Sequence, residues 1–296
     1  MKRVIALGFF DGVHLGHGRL LSLARSRADV LEATAAGLTF DSHPDILVTG
    51  AAVPLLSGRE DRETLMKSLY GMDEVLTLHF DEAMRDMPWE SFLDRILIQE
   101  LGACCLICGH DFRFGAGGKG TAEALTEACK ARGIECHVVP AYKLDGITVS
   151  STYIRGLIQG GQMERAEAFL GHPHILSGPV VHGAEIGRTM EIPTANLAYP
   201  KDILLPARGV YACRAIWENE THLAVANVGL RPTVGGESVT VEPWLLDFSG
   251  DLYGKTLRLE FWKFLRPEKK FPSLEALRQE ILRNAEQTRQ FFAEKS

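Results

Sequence analysis

In the run Gly8-Phe9-Phe10-Asp11-Gly12-Val13-His14-Leu15-Gly16-His17, two histidines flank a glycine where an apolar stretch, Val4 to Gly8, gives way to a helical pattern. A strand-to-helix junction suits a phosphate, because free backbone N–H groups and the helix dipole both favour an anion there. Gly16 lets a phosphate approach the main chain. His14 and His17 can donate to its oxygens, orienting an α-phosphate and stabilising charge on a pentavalent transition state. The run thus points to attack on a nucleotide phosphate, with Gly8, Phe10 and Gly16 in the cradle. Two partly buried histidines that only satisfy a turn are the competing reading, and H-x-G-H alone is too short to exclude it.

A second constellation is Gly183-Ala184-Glu185-Ile186-Gly187-Arg188-Thr189-Met190-Glu191-Ile192-Pro193-Thr194-Ala195-Asn196. Gly183 and Gly187 allow the backbone to cradle phosphates. In extended chain the Thr194 hydroxyl and the Asn196 amide oxygen point to one side, so both can ligate one hard cation. Mg2+ or another divalent ion is the natural candidate beside ATP. For Pro193 to Asn196 taken alone, an ordinary β-turn with side-chain capping is the favoured reading.

These residues need elements to hold them. In the first half, apolar runs alternate with amphipathic ones: Val4 to Gly8, Ala35 to Phe40, Glu74 to Leu78, Cys104 to Cys108 and Ile134 to Val139 read as strands. Between them Leu20 to Ala28, Arg62 to Leu69, Trp89 to Leu101 and Ala122 to Ala131 read as helices. The alternation predicts a Rossmann-like α/β domain with a mostly parallel sheet, whose ligands bind beyond the carboxyl ends of the strands. Ser151 to Leu170 reads as two short helices, and the pattern changes near residue 172. From there Gly209 to Trp217, His222 to Val228, Val239 to Phe248 and Thr256 to Phe264 read as strands of an antiparallel β-barrel. Leu274, Leu277, Ile281 and Leu282 place a terminal helix over Ser273 to Phe292, packed on that barrel. Two domains are expected, residues 1–171 and 175–296.

Composition narrows the classes. The chain of 296 residues is 46% hydrophobic and 24% charged, enough apolar material for two cores. A net charge of -6 argues against a general binder of nucleic acid or of anionic membranes. No apolar run approaches the roughly 20 residues of a membrane span, and Asp11 interrupts the first one before signal-peptide length, so a cytoplasmic protein is expected. The six cysteines are expected reduced: Cys104, Cys105 and Cys108 share one apolar strand, and the C-x2-C pair lacks a partner pair at zinc-site spacing.

The long form of the first run resembles the adenylyltransferase module of bacterial bifunctional riboflavin kinase/FAD synthetases. Thr39-Phe40-Asp41-Ser42-His43-Pro44, Gly109-His110-Asp111-Phe112-Arg113-Phe114-Gly115 and Val149-Ser150-Ser151-Thr152-Tyr153-Ile154-Arg155 follow in the family's order. In the second half Gly209-Val210-Tyr211-Ala212, Asn227 to Thr233, Val241-Glu242-Pro243-Trp244-Leu245-Leu246-Asp247-Phe248, Asp251-Leu252-Tyr253-Gly254 and Arg266 to Phe271 resemble riboflavin kinase. The resemblance implies two ATP-dependent steps, riboflavin to FMN and FMN to FAD with release of pyrophosphate. It places Asp111, Ser150 and Ser151 at the first site with Arg155 on the leaving pyrophosphate, Glu242 as the base of the kinase, and Thr194 and Asn196 on magnesium. Riboflavin, FMN, FAD and ATP are the partners implied, and no obligate protein partner is. Two departures from the family pattern stand out: Glu191 and Ile192 replace Gly and Phe, and Pro243-Trp244 follows the base.

Overall fold

The computed structural model describes residues 1–50, 52–182, 192–218, 220–233 and 236–295, the side chains of 231–233 and 236–238 excepted. The chain divides into two units, residues 1–55 with 59–151 and residues 56–58 with 152–296.

The first unit contains β1 (Arg3–Leu7), a 3-10 turn (Asp11–Val13), α1 (Leu15–Leu31), β2 (Thr34–Phe40), α2 (Pro44–Thr49), α3 (Arg59–Tyr70), β3 (Glu74–Leu78) and α4 (Glu82–Arg85). It continues with α5 (Trp89–Ser91), a π-helix (Phe92–Glu100), β4 (Ala103–Gly109), β5 (Arg113–Phe114), β6 (Gly120–Thr121), α6 (Ala122–Ala131), β7 (Glu135–Val139), β8 (Lys143–Leu144) and β9 (Ile147–Thr148). The five long strands lie in the order β3-β2-β1-β4-β7, every pair parallel. Helices cover such a sheet on both faces, which is why β1 from Val4 to Leu7 and β2 from Ala35 to Thr39 are continuously buried rather than alternating. Ile5, Leu7, Leu38, Leu93, Leu97, Leu106 and Leu125 form one core on it. The order reverses between β1 and β4, and a crevice opens there beyond the strand ends.

The segment Trp89 to Leu101, expected as a helix, is helical, with a π-helix after Ser91 that closes with Leu101 N–H donating to Ile96 O at 2.9 Å. That wider turn still buries Phe92, Leu93 and Leu97. Cys105 and Cys108 are fully buried in β4, all six cysteines are free, and burial pushes the Cys105 thiol up to about 12.

α7 (Ser151–Gln159) follows, and then α8 (Met163–Leu170), β10 (His174–Val181), β11 (Asn196–Leu197), β12 (Gly209–Trp217), β13 (Glu220–Thr233), β14 (Gly236–Leu245), β15 (Thr256–Arg266) and α9 (Leu274–Lys295). Strands β11-β10-β15-β12-β13-β14 form an antiparallel sheet that curls into a nearly closed barrel. Its seam is bridged where Ala195 N–H donates to Pro243 O at 2.8 Å and the Tyr199 hydroxyl to Val239 O at 2.7 Å. The terminal helix differs in phase from the expected one. Leu274 and Leu282 are exposed, and the packed face is Leu277, Ile281, Ala285, Thr288 and Phe292, a stripe that follows the helical period from Leu277 onward.

Gly178 in β10 has no room for a side chain, since a Cβ there would stand 1.7 Å from the carbonyl oxygen of Ala198. That oxygen is backbone and cannot swing aside. Gly178→Ala should therefore cost the second unit about 3 kcal/mol or more, read as an earlier denaturant midpoint. A midpoint unchanged from wild type would show that the strand can shift.

Candidate active sites

The first pocket sits in the crevice that the strand order creates. It has a volume of about 310 Å³ and is lined by Gly8, Phe10, His14, Gly16 and His17 after β1, by Gly109 to Phe112 after β4, and by Pro140, Tyr142 and Thr148 to Ser151. Gly8, Phe10, His14, Gly16, His17, Asp111, Ser150 and Ser151 are thus brought together as expected from their order in the chain. Arg155, one turn further along α7, is half-buried and does not line the pocket.

The turn between β1 and α1 is held in an unusual shape. Phe10 (φ 58°) and Val13 (φ 41°) are non-glycine residues in the left-handed region, a conformation that costs on the order of 1 to 3 kcal/mol each and persists only where neighbours enforce it. Enforcement is visible: the Thr39 hydroxyl donates to Phe9 O at 2.7 Å, and the Ser151 hydroxyl to Asp11 O at 3.1 Å. His14 caps α1, its Nδ1 accepting from the N–H of His17 at 3.2 Å. That bond makes Nδ1 the acceptor, so Nε2 carries the proton of the neutral ring. The two imidazoles stack with centroids 3.6 Å apart and planes 11° from parallel. Burial holds the His17 ring well below its ordinary pKa, aided by His14 and by Arg62, and His17 Nδ1 is buried without a hydrogen-bond partner among the described residues. A Cβ on Gly16 would lie 3.1 Å from the His14 ring and press on that imidazole.

The second unit carries two pockets that share Thr194. One, about 340 Å³, has an apolar wall of Ile192, Val210, Val225 and Trp244 and a polar end of Asn227, Glu242, Arg266, Glu268 and Lys269, with Leu277, Ile281 and Asn284 of α9 closing it. Glu242 stands opposite Asn227 in the β13–β14 ladder, and strand alternation puts Trp244 on the same face. Arg266 Nε donates to Asn284 Oδ1 at 3.0 Å, and Glu280 pairs with Lys269 at 3.1 Å and Arg283 at 3.0 Å. The hydrogen bond from Lys269 is the largest influence favouring the Glu280 carboxylate, whose pKa is held below the usual range. These contacts pin α9 to the segment after β15. The other pocket, about 530 Å³, is lined by Val180, Pro193 to Ala195, Leu245 and Phe248 to Tyr253.

Asn196 lies in β11 opposite Val181 and lines neither pocket. Gly183, Gly187 and Glu191 fall outside the described residues. Trp244, Asn227 and the α9 residues Leu277, Ile281 and Asn284 line the 340 Å³ pocket without having been expected there; strand alternation around Glu242 points to Trp244, whereas the helical period of α9 does not say which of its stripes closes the pocket. Away from the pockets, Cys105, Glu135 and His137 converge in a way that suits a metal ion, but Arg27 Nη2 is 2.5 Å from Glu135 and already supplies the positive charge.

Comparison with known proteins follows the same division. Residues 1–153 match the family model for FAD synthetase and residues 170–292 that for riboflavin kinase. Proteins described as bifunctional riboflavin kinase/FMN adenylyltransferase are similar across nearly the whole chain. The Listeria monocytogenes one is 34% identical over 99% of this chain and 93% of its own length. The Pseudomonas fluorescens one is 36% identical over 94% and 89%, and that of Escherichia coli K12 34% identical over 98% and 92%. A crystal structure from Streptococcus pneumoniae described as a macrolide-efflux protein superposes with a TM-score of 0.87 at 30% identity, covering 97% of this chain and 94% of that one. Among the described residues no helix of this chain is long and apolar enough to cross a membrane.

Proposed function

We infer the role of each pocket from one premise: the chain belongs to the bifunctional riboflavin kinase/FMN adenylyltransferase family. It converts riboflavin to FMN with ATP and then FMN to FAD and pyrophosphate with a second ATP. Our assignment gives the second step to residues 1–171 and the first to residues 175–296, in a cytoplasmic enzyme.

For the kinase, the observation that carries the reading is that Thr194 borders both pockets of the second unit. Riboflavin takes the 340 Å³ cavity, its flat ring against Val210, Val225, Trp244 and Ile281 and its ribityl chain toward Glu242. Cavities of a few hundred Å³ with an apolar wall and a few polar groups are typical of such ligands. ATP takes the 530 Å³ pocket. Its γ-phosphate then lies near Thr194, between donor and acceptor. Glu242 accepts the proton of the 5'-hydroxyl as that oxygen forms its bond to the γ-phosphorus and ADP leaves with the broken P–O bond. The Thr194 hydroxyl and the Asn196 amide oxygen are neutral oxygen donors that fit a small divalent cation, Thr194 by its place between the pockets and Asn196 by chemistry alone. Bound there, such an ion neutralises charge on the phosphates of ATP.

For the adenylyltransferase, the phosphate of FMN attacks the α-phosphorus of ATP in line, and pyrophosphate leaves. His14 and His17 are neutral donors to the α-phosphate oxygens, Gly16 allows the main chain to approach, and Ser150 and Ser151 at the start of α7 offer hydroxyls. Arg155 is proposed for the pyrophosphate.

Incubating the purified chain with riboflavin, ATP and Mg2+ and separating the flavins by chromatography tests both assignments. FMN should appear first and FAD after a lag. FMN without FAD, or no conversion unless FMN is supplied, would remove one of the two activities from this chain.

A further inference from the structure

The first turn of α3, Arg59-Glu60-Asp61-Arg62-Glu63, is the kind of charged run that normally faces water. Arg62 does not. It is 2% exposed and among the largest fully buried side chains of the molecule. Its Nη2 donates to Phe40 O at 3.0 Å at the end of β2, and its guanidinium carbon lies 4.3 Å from the centre of the Phe9 ring in the turn after β1. The carboxylate whose charge favours it is Asp11, itself buried in the same turn. Nε and Nη1 of Arg62 are buried with no hydrogen-bond partner among the described residues.

A guanidinium so placed is a cost to the fold. Desolvating a charge and leaving two of its nitrogens without partners is strongly unfavourable, and apolar side chains could join Phe9 to Phe40 with a smaller penalty. Burial lowers the Arg62 pKa to about 10, which leaves it charged near neutral pH. Such expense concentrates where a site needs a conformation that the backbone resists. The turn next to Arg62 is that kind of place, with Phe10 and Val13 left-handed and His14 directly after them.

We propose that Arg62, with Asp11 as its counter-ion, is a positioning residue for adenylyl transfer: it ties the turn after β1 to the end of β2 and thereby holds His14 and His17 in the geometry that meets the phosphate. The proposal rests on the assignment of His14 and His17 to that reaction. Arg62 does not line the pocket, so it acts through the histidines and not on the substrate. Its charge also reaches His17, where with burial and with His14 it helps keep the ring neutral.

The test is a double-mutant cycle in the full chain, with riboflavin phosphorylation as the internal control for folding and concentration. Arg62→Met should lower kcat for FMN to FAD by about 10²-fold, the scale expected when catalytic groups are misplaced by about 1 Å, with KM for ATP changed by less than about threefold. Arg62→Lys keeps the charge beside Asp11 but loses the planar fork, and should lose about tenfold. It also carries the test should Arg62→Met fail to fold. His17→Ala with Arg62→Met should lose less than the product of the two single losses, because one of the two histidines through which Arg62 acts is already gone.

Wild-type kcat in a folded Arg62 variant overturns the proposal, and so does a rise in KM at constant kcat, which would make Arg62 a ligand-binding residue. Additive losses in the double variant overturn it as well. If His17→Ala is itself fully active, the assignment of the histidines has failed; if His17→Ala is slow while Arg62→Met is not, only the role of Arg62 has.

Discussion

Glu242→Gln should lower FMN formation by about 10² to 10⁴-fold while supplied FMN is still converted to FAD at the wild-type rate. The glutamine keeps the size and most of the hydrogen bonding of the glutamate and lacks only its basicity. Its place on β14 is fixed by pairing with Asn227 and by the barrel beneath it, with Val241 and Leu245 buried on the same strand, so the substitution should leave the fold intact. ATP binding, measured by calorimetry with Mg2+ on the same protein, should persist, because the pocket assigned to ATP does not include Glu242. Thr194 lines both pockets, and Thr194→Val should instead weaken nucleotide binding and turnover together. Near-wild-type FMN formation by Glu242→Gln would refute the general-base role and leave positioning as the main source of catalysis in that unit.

The two architectures were legible because each writes a different period into the chain. Strands buried on both faces, such as Val4 to Leu7 and Ala35 to Leu38, are continuous apolar runs, and the helices between them force parallel neighbours. The barrel strands announce themselves by length and by the turn residues between them, although β13 extends beyond His222 to Val228 at both ends. The terminal helix shows what periodicity cannot decide. Leu274 and Leu282 look as apolar as Leu277 and Ile281, but only the barrel surface determines which of two adjacent stripes is covered. The same limit applies to the sites. Residues inside one short run, such as His14, Gly16 and His17, are legible as a cluster because chain connectivity already brings them together. Trp244 and Asn284 line one pocket from the sheet and from the last helix, and no local pattern joins them. Arg62 is the extreme case, a charge inside a charged run that only the packing of α3 takes out of water.

The two reactions place different demands on their sites. The kinase must remove a proton from an alcohol, so a carboxylate beside the acceptor has a chemical task, and our assignment gives it to Glu242, which lines the 340 Å³ cavity from a barrel strand. The adenylyltransferase has no such proton to remove, since the attacking oxygen already belongs to a phosphate. Under our assignment its site therefore needs donors more than a base, and the imidazoles, the Ser150 and Ser151 hydroxyls and the backbone at the start of α1 can supply them, with Asp111 lining the same pocket.

That difference sets the expectation for the histidines. His14→Ala or His17→Ala should slow FMN to FAD by about 10²-fold or more and leave riboflavin phosphorylation largely unchanged, since each removes a donor aimed at charge that develops in the transition state. His14 has a second duty as the cap of α1, worth about 1 kcal/mol, and alanine removes both. His14→Asn separates them: asparagine caps a helix as well as any residue but cannot replace the imidazole, so it should be as stable as wild type and nearly as slow as alanine. The stacking of the rings and the burial of His17 further specify neutral donors. Two stacked imidazolium rings would repel, and the His17 pKa already lies well below its ordinary value. Lowering the pH from about 8 to 6.5 therefore adds no charge to His17, and a rate that climbs through that window and loses its climb in His17→Ala would contradict the neutral-donor role. Equal loss of both activities in a folded His17→Ala would go further, and would sink the division of labour between the two units.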